Sequence, residues 1–180
     1  IIASSARILA PILGFLAASS IQKAEFPATP IALGLHFAPL AFPLILVGIG
    51  MRLQFTSLGV KPGLWLVAMG QTIYVLPLAI LNLRVGIANV SSSLEDAAIS
   101  LGASRIRTLA EIIAPACSST IIATLLITFT FAFDEFIIAY FLTNFEITLP
   151  IKIWTTLVTG FDPTVNAVGS AVFIFSVTLG

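Results

Sequence analysis

Between two long apolar runs the chain reads Ser93-Leu-Glu-Asp-Ala-Ala-Ile-Ser-Leu-Gly102 and, further on, Ile112-Ile-Ala-Pro115. Leucine and alanine recur at positions 94, 97, 98 and 101, which is the spacing of one face of an α-helix. Ser93 is placed to cap the start of this helix, with Asp96 as its return partner, and Gly102 can adopt the left-handed conformation that ends many helices. The segment therefore predicts a short amphipathic helix that fits a groove on another protein.

The composition is that of an integral membrane protein. Of the 180 residues, 58% are hydrophobic and 9% are charged, whereas about a quarter of the residues in soluble domains are charged. The mean hydropathy is +1.12. Eight basic and eight acidic residues cancel, so the chain has no basic surface for nucleic acid. One cysteine and one histidine exclude an internal disulfide and a metal site built on several histidines.

Five apolar stretches approach the roughly twenty residues that a membrane-spanning helix needs. They cover residues 1–21, 31–50, 62–83, 116–142 and 166–180. Because no polar linker divides them, we expect one transmembrane domain over residues 1–180 with about five spans. The chain opens without Met and ends within an apolar run, so we also expect it to be a fragment of a longer protein.

The spacing of the charged segment is similar to that of a known motif. An acid, two alanines, a glycine, an isoleucine and a proline follow one another as Asp96, Ala97, Ala98, Gly102, Ile112 and Pro115. This pattern resembles the EAA loop of ATP-binding-cassette importer permeases, a cytoplasmic helix-turn-helix that docks into a groove on the partner ATPase. Position 96 has aspartate in place of the usual glutamate, and position 114 has alanine in place of leucine. The resemblance implies an all-α, polytopic helical bundle of the type I importer permease (MetI-like) fold, with a cytoplasmic coupling loop over 85–115.

Small residues within this loop are the expected contacts with the ATPase. Ala97, Ala98 and Gly102 would let the two protein surfaces approach closely. Polar residues would form the rim of the contact, namely Glu95, Asp96, Ser104 and Arg105. The alternative is that the segment is a solvated connector with an interfacial helix.

Later segments are similar to one group of these permeases. Phe131-Ala-Phe-Asp-Glu-Phe136, Leu149-Pro-Ile-Lys-Ile-Trp154 and Pro163-Thr-Val-Asn-Ala167 resemble the corresponding segments of spermidine/putrescine-type permeases. The resemblance extends from about residue 60 onward. It implies import of a polyamine or similar small organic cation across the bacterial cytoplasmic membrane.

Two adjacent acids, Asp134 and Glu135, lie in an otherwise apolar stretch, where each charge costs about 2.5–3.5 kcal/mol. Neighbouring positions on a helix point about 100° apart. We therefore expect one acid to line a water-filled path and the other to cap a neighbouring helix or contact a second subunit. The alternative is that the acids are paired structurally with Arg7 or Lys152.

Aromatic residues near the acids would flank the same path, because their faces attract ammonium groups. The candidates are Phe131, Phe133, Tyr140 and Trp154. The sequence does not choose between snorkelling and pairing for Arg7, and His36 fits a hydrogen-bonded packing residue better than a proton relay.

No glycine-rich loop ending in Gly-Lys-Ser or Gly-Lys-Thr occurs, and no hydrolase or metalloprotease motif occurs either. We therefore expect a transport subunit that is not an enzyme and binds no cofactor or metal, with ATP bound by a partner. The resemblance implies as partners a dimer of cytoplasmic ATPases, a second permease subunit and an extracytoplasmic solute-binding protein, all acting with the membrane lipid around this chain. The alternatives are import of another solute, an ion-coupled secondary transporter or channel that uses Asp134 and Glu135, and a membrane scaffold without transport activity.

Overall fold

The computed structural model describes residues 2–23, 29–144, 147–160 and 163–179. Within these ranges the regular structure is helical, which confirms the all-α expectation. The helices are α1 Ile2–Lys23, α2 Thr29–Ala41, α3 Leu44–Ser57, α4 Leu64–Ala88, α5 Ser92–Ser100, α6 Arg105–Thr108, α7 Ala114–Ala116, α8 Ser118–Asp134, α9 Ile137–Leu142, α10 Leu149–Thr159 and α11 Pro163–Leu179. A π-helical turn, Leu109–Ile113, joins α6 to α7.

Helices α1, α4 and α8 pack together as the main core. Small residues recur every four positions along α1 and are buried, as Ala6, Ala10, Gly14 and Ala18. A Cβ atom at Gly14 would lie 3.0 Å from the Cβ of Ala79 in α4. Small residues at this spacing let two helix backbones approach closely, which is how helices associate in a membrane.

The contact between α4 and α8 is closer still. A Cβ atom at Gly86 of α4 would lie 2.7 Å from the side chain of Thr120 in α8. The next two threonines on this face, Thr124 and Thr128, are fully buried, and each hydroxyl donates to the carbonyl four residues earlier at 2.7 Å. The buried hydroxyls are thus satisfied within α8, so the helix can use threonine for packing.

A second cluster surrounds the short helix α9, which packs against α3 and α4. Its buried members include Leu66 and Val67 of α4, Ile138 and Leu142 of α9, and Ile151 of α10. Gly48 of α3 leaves room for the side chain of Phe141, and Gly70 of α4 leaves room for the side chain of Leu142. The two clusters meet at Tyr74 of α4, which packs against both.

Two of the five apolar stretches are interrupted in the structure. The stretch 31–50 is broken between α2 and α3, where Pro43 restricts the residue before it and lacks an N–H. The stretch 116–142 is broken after Asp134. Within the described ranges α4 alone is long and apolar enough to cross a membrane unaided, and a second span results if Arg105–Ala116 and Ser118–Asp134, bent by 81°, count as one. The expectation of a single domain with about five spans stays a prediction.

The close approach of α4 and α8 can be tested with a matched pair of helical glycines. Gly86→Ala should lower the free energy of unfolding, because overpacking against the stiff Thr120 side chain costs about 1–3 kcal/mol, more than the gain of about 1 kcal/mol in helix propensity. Gly50→Ala meets open space and should leave the protein as stable or more stable. Thermal unfolding in detergent micelles measures both, and a Gly86→Ala protein as stable as Gly50→Ala would contradict the packing.

Candidate functional site

Glu135 occupies the break between α8 and α9. Its backbone is extended, with φ −73° and ψ 114°. One carboxylate oxygen accepts the N–H of Ile138 at 2.7 Å, and the other accepts the N–H of Ala139 at 3.1 Å. The residue is 7% exposed. Glu135 therefore caps the start of α9 and satisfies two backbone amides that the break would leave unpaired. This is the capping role expected for one of the two acids.

Residues from two other helices hold the same segment. Gln71 of α4 donates from its side-chain amide to the carbonyl of Glu135 at 3.4 Å. Arg52 of α3 donates to the carbonyls of Phe141 and Thr143 at 3.1 and 3.4 Å. A cation is favourable at the C-terminal end of a helix. Helix α9 is thus held by an anion at its start and a cation at its end.

Asp134, by contrast, is exposed and lies where two cavities adjoin. The first, which we call the aromatic cavity, has a volume of about 280 Å³. Its walls include Phe133, Phe136, Ile153, Trp154 and Leu157, with Asp134 at the edge. Among the described residues that line this cavity, Asp134 alone carries a charged group.

The second cavity, which we call the hydroxyl cavity, has a volume of about 450 Å³. Its walls include Tyr74, Thr130, Phe131, Asp134, Glu135 and Phe136. Two of these lining residues, Tyr74 and Thr130, carry hydroxyl groups, whereas none of the described residues that line the aromatic cavity does. Asp134 and Phe136 are the two residues that the cavities share.

The expected pathway residues divide into two groups. Phe133 and Trp154 do line the aromatic cavity. Tyr140 does not line either cavity; its ring is 53% exposed and packs on Phe136 and Phe141, with centroids 5.6 and 5.7 Å apart. Neither cavity supports the predicted pathway role of Tyr140, which stays a prediction.

The structural pairing considered for the acids does not form with Lys152 among the described side chains. The side chains of Arg7 and His36 lie outside the described residues. Several residues of the site were not predicted from the sequence, among them Arg52 and Phe136. An arginine within the apolar segment 44–57 was a signal for the first, whereas nothing in the sequence separates Phe136 from the other thirteen phenylalanines.

The hairpin from α5 to α7 carries the predicted coupling residues. Gly102 has a positive φ of +88°. The N–H of Gly102 donates to the carbonyl of Ile99 at 2.9 Å, and the N–H of Ala103 donates to the carbonyl of Ala98 at 3.0 Å. These two bonds are a Schellman motif. The prediction that Gly102 ends the helix is confirmed.

The start of the hairpin differs from the prediction. Helix α5 begins at Ser92 after Ser91, and neither of these serines nor Asp96 caps its first turn with a side chain. The hydroxyls of Ser91 and Ser93 instead lie 2.7 Å from each other. Ser93 is therefore within the first turn, and its assignment as N-cap is wrong. The serine that does cap a helix is Ser104, whose hydroxyl accepts the N–H of Arg107 at 3.3 Å at the start of α6.

The exposed face of the hairpin is more apolar than the small-residue stripe suggested. Leu101 is 89% exposed and Ile106 is 80% exposed. Ala98 is 6% exposed, which corrects its place on a docking face, because a buried side chain presents little surface to a partner. Glu95 is half-buried, and the other predicted coupling residues are exposed, namely Asp96, Ala97, Gly102, Ser104 and Arg105. Their role in coupling stays a prediction.

Comparison with known proteins places these features in a family. The family described as "Binding-protein-dependent transport system inner membrane component" matches residues 10–180. The chain belongs to this family. Membership confirms the type I permease (MetI-like) fold and a location in a membrane. It also makes the chain a transport component rather than a catalytic subunit.

Individual relatives carry more specific names. The spermidine/putrescine transport system permease protein PotC of Escherichia coli is 27% identical over 172 residues, covering 94% of this chain and 65% of its own length. PotC of Haemophilus influenzae is 27% identical over 180 residues, covering 99% and 70%. A probable molybdenum ABC transporter permease protein of Haloferax volcanii is 28% identical over 169 residues, covering 89% and 63%. The chain thus spans about two thirds of the length of these relatives.

Variants of the two neighbouring acids can separate the capping role of Glu135 from a general effect of losing a negative charge. Glu135→Ala should lower the free energy of unfolding by about 2–4 kcal/mol, because two buried amides lose a charged acceptor. Asp134→Ala should change it by less than about 0.5 kcal/mol. Thermal unfolding in detergent micelles measures both. Equal losses for the two variants would contradict the assignment of Glu135 as the cap.

Proposed function

We propose that this chain is the permease subunit of an ATP-binding-cassette importer that moves a polyamine or similar small organic cation across the bacterial cytoplasmic membrane. The position of Asp134 carries the proposal. Its carboxylate lies at the junction of two cavities, next to Phe133 and Trp154. The names of the PotC relatives point to the same class of solute.

An organic cation suits this site for two reasons. Its ammonium group can pair with the carboxylate of Asp134, and the faces of Phe133 and Trp154 attract the same positive charge. Its methylene groups can lie against the apolar walls of the aromatic cavity. Because Asp134 is exposed, the pairing is weak enough to be reversed, as transport of the solute requires.

The hairpin supports coupling to a separate ATPase. Leu101 and Ile106 present apolar side chains at an exposed turn that no other element of the described residues covers. Such a face fits a groove on a soluble partner. In this proposal two copies of the cytoplasmic ATPase bind and hydrolyse ATP, a second permease subunit completes the pore, and an extracytoplasmic binding protein delivers the solute.

Transport would follow from two packings of the helices. Closure of the ATPases would move the docked hairpin as a rigid body, and the helices attached to it would rock between an inward-open and an outward-open arrangement. ATP can drive this change only by favouring one of the two states. Crossing the membrane several times is part of the proposal, with the interrupted segments completing spans in the assembled transporter.

Two other functions fit less well. The Haloferax relative is named for molybdenum, but an oxyanion would be repelled by the carboxylate of Asp134. An ion-coupled transporter would need both acids open to a cation or proton, whereas both oxygens of Glu135 accept backbone N–H groups. The organic cation is therefore the better-supported solute.

The role of Asp134 predicts a specific transport defect. In proteoliposomes that contain the full-length transporter, Asp134→Asn should raise the KM for spermidine roughly tenfold, which corresponds to about 1.4 kcal/mol. Asp134→Glu, which keeps the charge, should retain most of the uptake. Wild-type kinetics for the asparagine variant would remove this residue from the pathway.

The role of the hairpin predicts a loss of assembly. Leu101→Asp places a charge on the exposed apolar turn and should reduce the amount of ATPase that co-purifies with the full-length permease by at least about tenfold. Leu58→Asp is the matched control, because Leu58 is also an exposed leucine in a connector, between α3 and α4. Normal co-purification with the Leu101 variant would contradict docking at this turn.

A further inference from the structure

We propose that Phe136 determines which linear amines the site accepts, by separating two subsites that receive the two arms of a cation whose charged nitrogen lies inside its chain. This inference rests on the proposed function. Phe136 is not one of the two adjacent acids, and it does not belong to the hairpin from α5 to α7. It differs from the other aromatic residues of 131–141 because it lines both cavities.

Phe136 is a fixed partition. Its side chain contributes to the wall of both the aromatic cavity and the hydroxyl cavity. Its ring packs on Trp154 of α10 and Tyr140 of α9, with centroids 5.3 and 5.6 Å apart. Its carbonyl accepts the N–H of Tyr140 at 2.8 Å, so its backbone is tied to the first turn of α9. These two ring contacts and the backbone hydrogen bond position Phe136 at the boundary between the cavities.

Asp134 is the other residue that the two cavities share, and this sharing sets the position of the charge. A solute whose ammonium group pairs with Asp134 can extend into the space on either side of Phe136. A nitrogen inside the chain places one arm in each cavity. When the paired nitrogen is at the end of the chain, the solute occupies only one cavity, and water fills the other.

The walls on the two sides suit the arms of such a cation. The aromatic cavity offers the rings of Phe133 and Trp154 to the methylene groups and terminal ammonium of one arm. The hydroxyl cavity offers Tyr74 and Thr130 to the other. The Thr130 hydroxyl donates to the carbonyl of Leu126 at 3.0 Å, so its oxygen still has a lone pair to accept a hydrogen bond from an ammonium group.

Two solutes of equal length test this arrangement. Spermidine and 1,8-diaminooctane have chains of the same number of atoms and terminal ammonium groups at both ends, but spermidine alone has an ammonium group inside the chain. ATP-driven uptake of each would be measured with the full-length transporter, its ATPase and its solute-binding protein in proteoliposomes. Because the binding protein is the same in every assay, a change in the uptake ratio between variants reports on the permease.

Phe136→Ala should lower the ratio of spermidine to 1,8-diaminooctane uptake by at least about fivefold, which corresponds to about 1 kcal/mol. Phe136→Leu keeps an apolar side chain of intermediate size and should lower the ratio by a smaller factor. Phe42→Ala removes an exposed ring between α2 and α3 that lines neither cavity, and it should leave the ratio unchanged.

The outcomes separate this inference from the proposed function. A wild-type ratio in both Phe136 variants overturns the partition, as does an equal change in Phe42→Ala, which would indicate a general effect of removing an aromatic ring. Absence of ATP-driven spermidine uptake by the wild-type complex overturns the proposed function itself. Spermidine uptake that persists in wild type with an unaltered ratio in the variants overturns only the role of Phe136.

Discussion

The capping of α9 by Glu135 is the interaction on which the site depends. A membrane supplies no water to backbone groups, so a helix can be broken there only if other groups satisfy its amides and carbonyls. Glu135 does this at the start of α9, and Arg52 does it at the end. The break ends α8 at Asp134. If α8 and α9 formed one continuous helix, both acids would lie on that helix. The two cavities would then not meet at Asp134.

The adjacent acids have different roles because their surroundings differ. Glu135 is buried, and both of its oxygens are used within the protein. Asp134 is exposed, and its carboxylate faces a space bounded by aromatic rings. A charge that holds structure and a charge that is available to a solute are thus one residue apart. The partners of Glu135 come from its own segment and from α4, so the structural role does not depend on the solute.

Helix α4 links this site to the hairpin from α5 to α7. It is 25 residues long, or about 37 Å at 1.5 Å per residue. Near its start Gln71 contacts the segment of Glu135, and near its end Ile87 lines a cavity with Glu95 of the hairpin. Gly86 brings α4 against α8, which runs back to Asp134. Tightly packed helices resist gradual deformation, so a displacement of the hairpin would reach the site as a movement of whole helices.

The sequence predicted the membrane class, the helical structure, the turn at Gly102 and two adjacent acids in an apolar stretch. Each of these follows from local chemistry: apolar content, helical spacing, the left-handed freedom of glycine and the cost of charge in an apolar stretch. The tertiary structure alone decided which acid is buried, that Arg52 caps α9, that Ala98 is covered and that Phe136 separates two cavities. These depend on residues distant in sequence, because burial and hydrogen-bond partners are set by the packing of helices and not by the periodicity of any one of them.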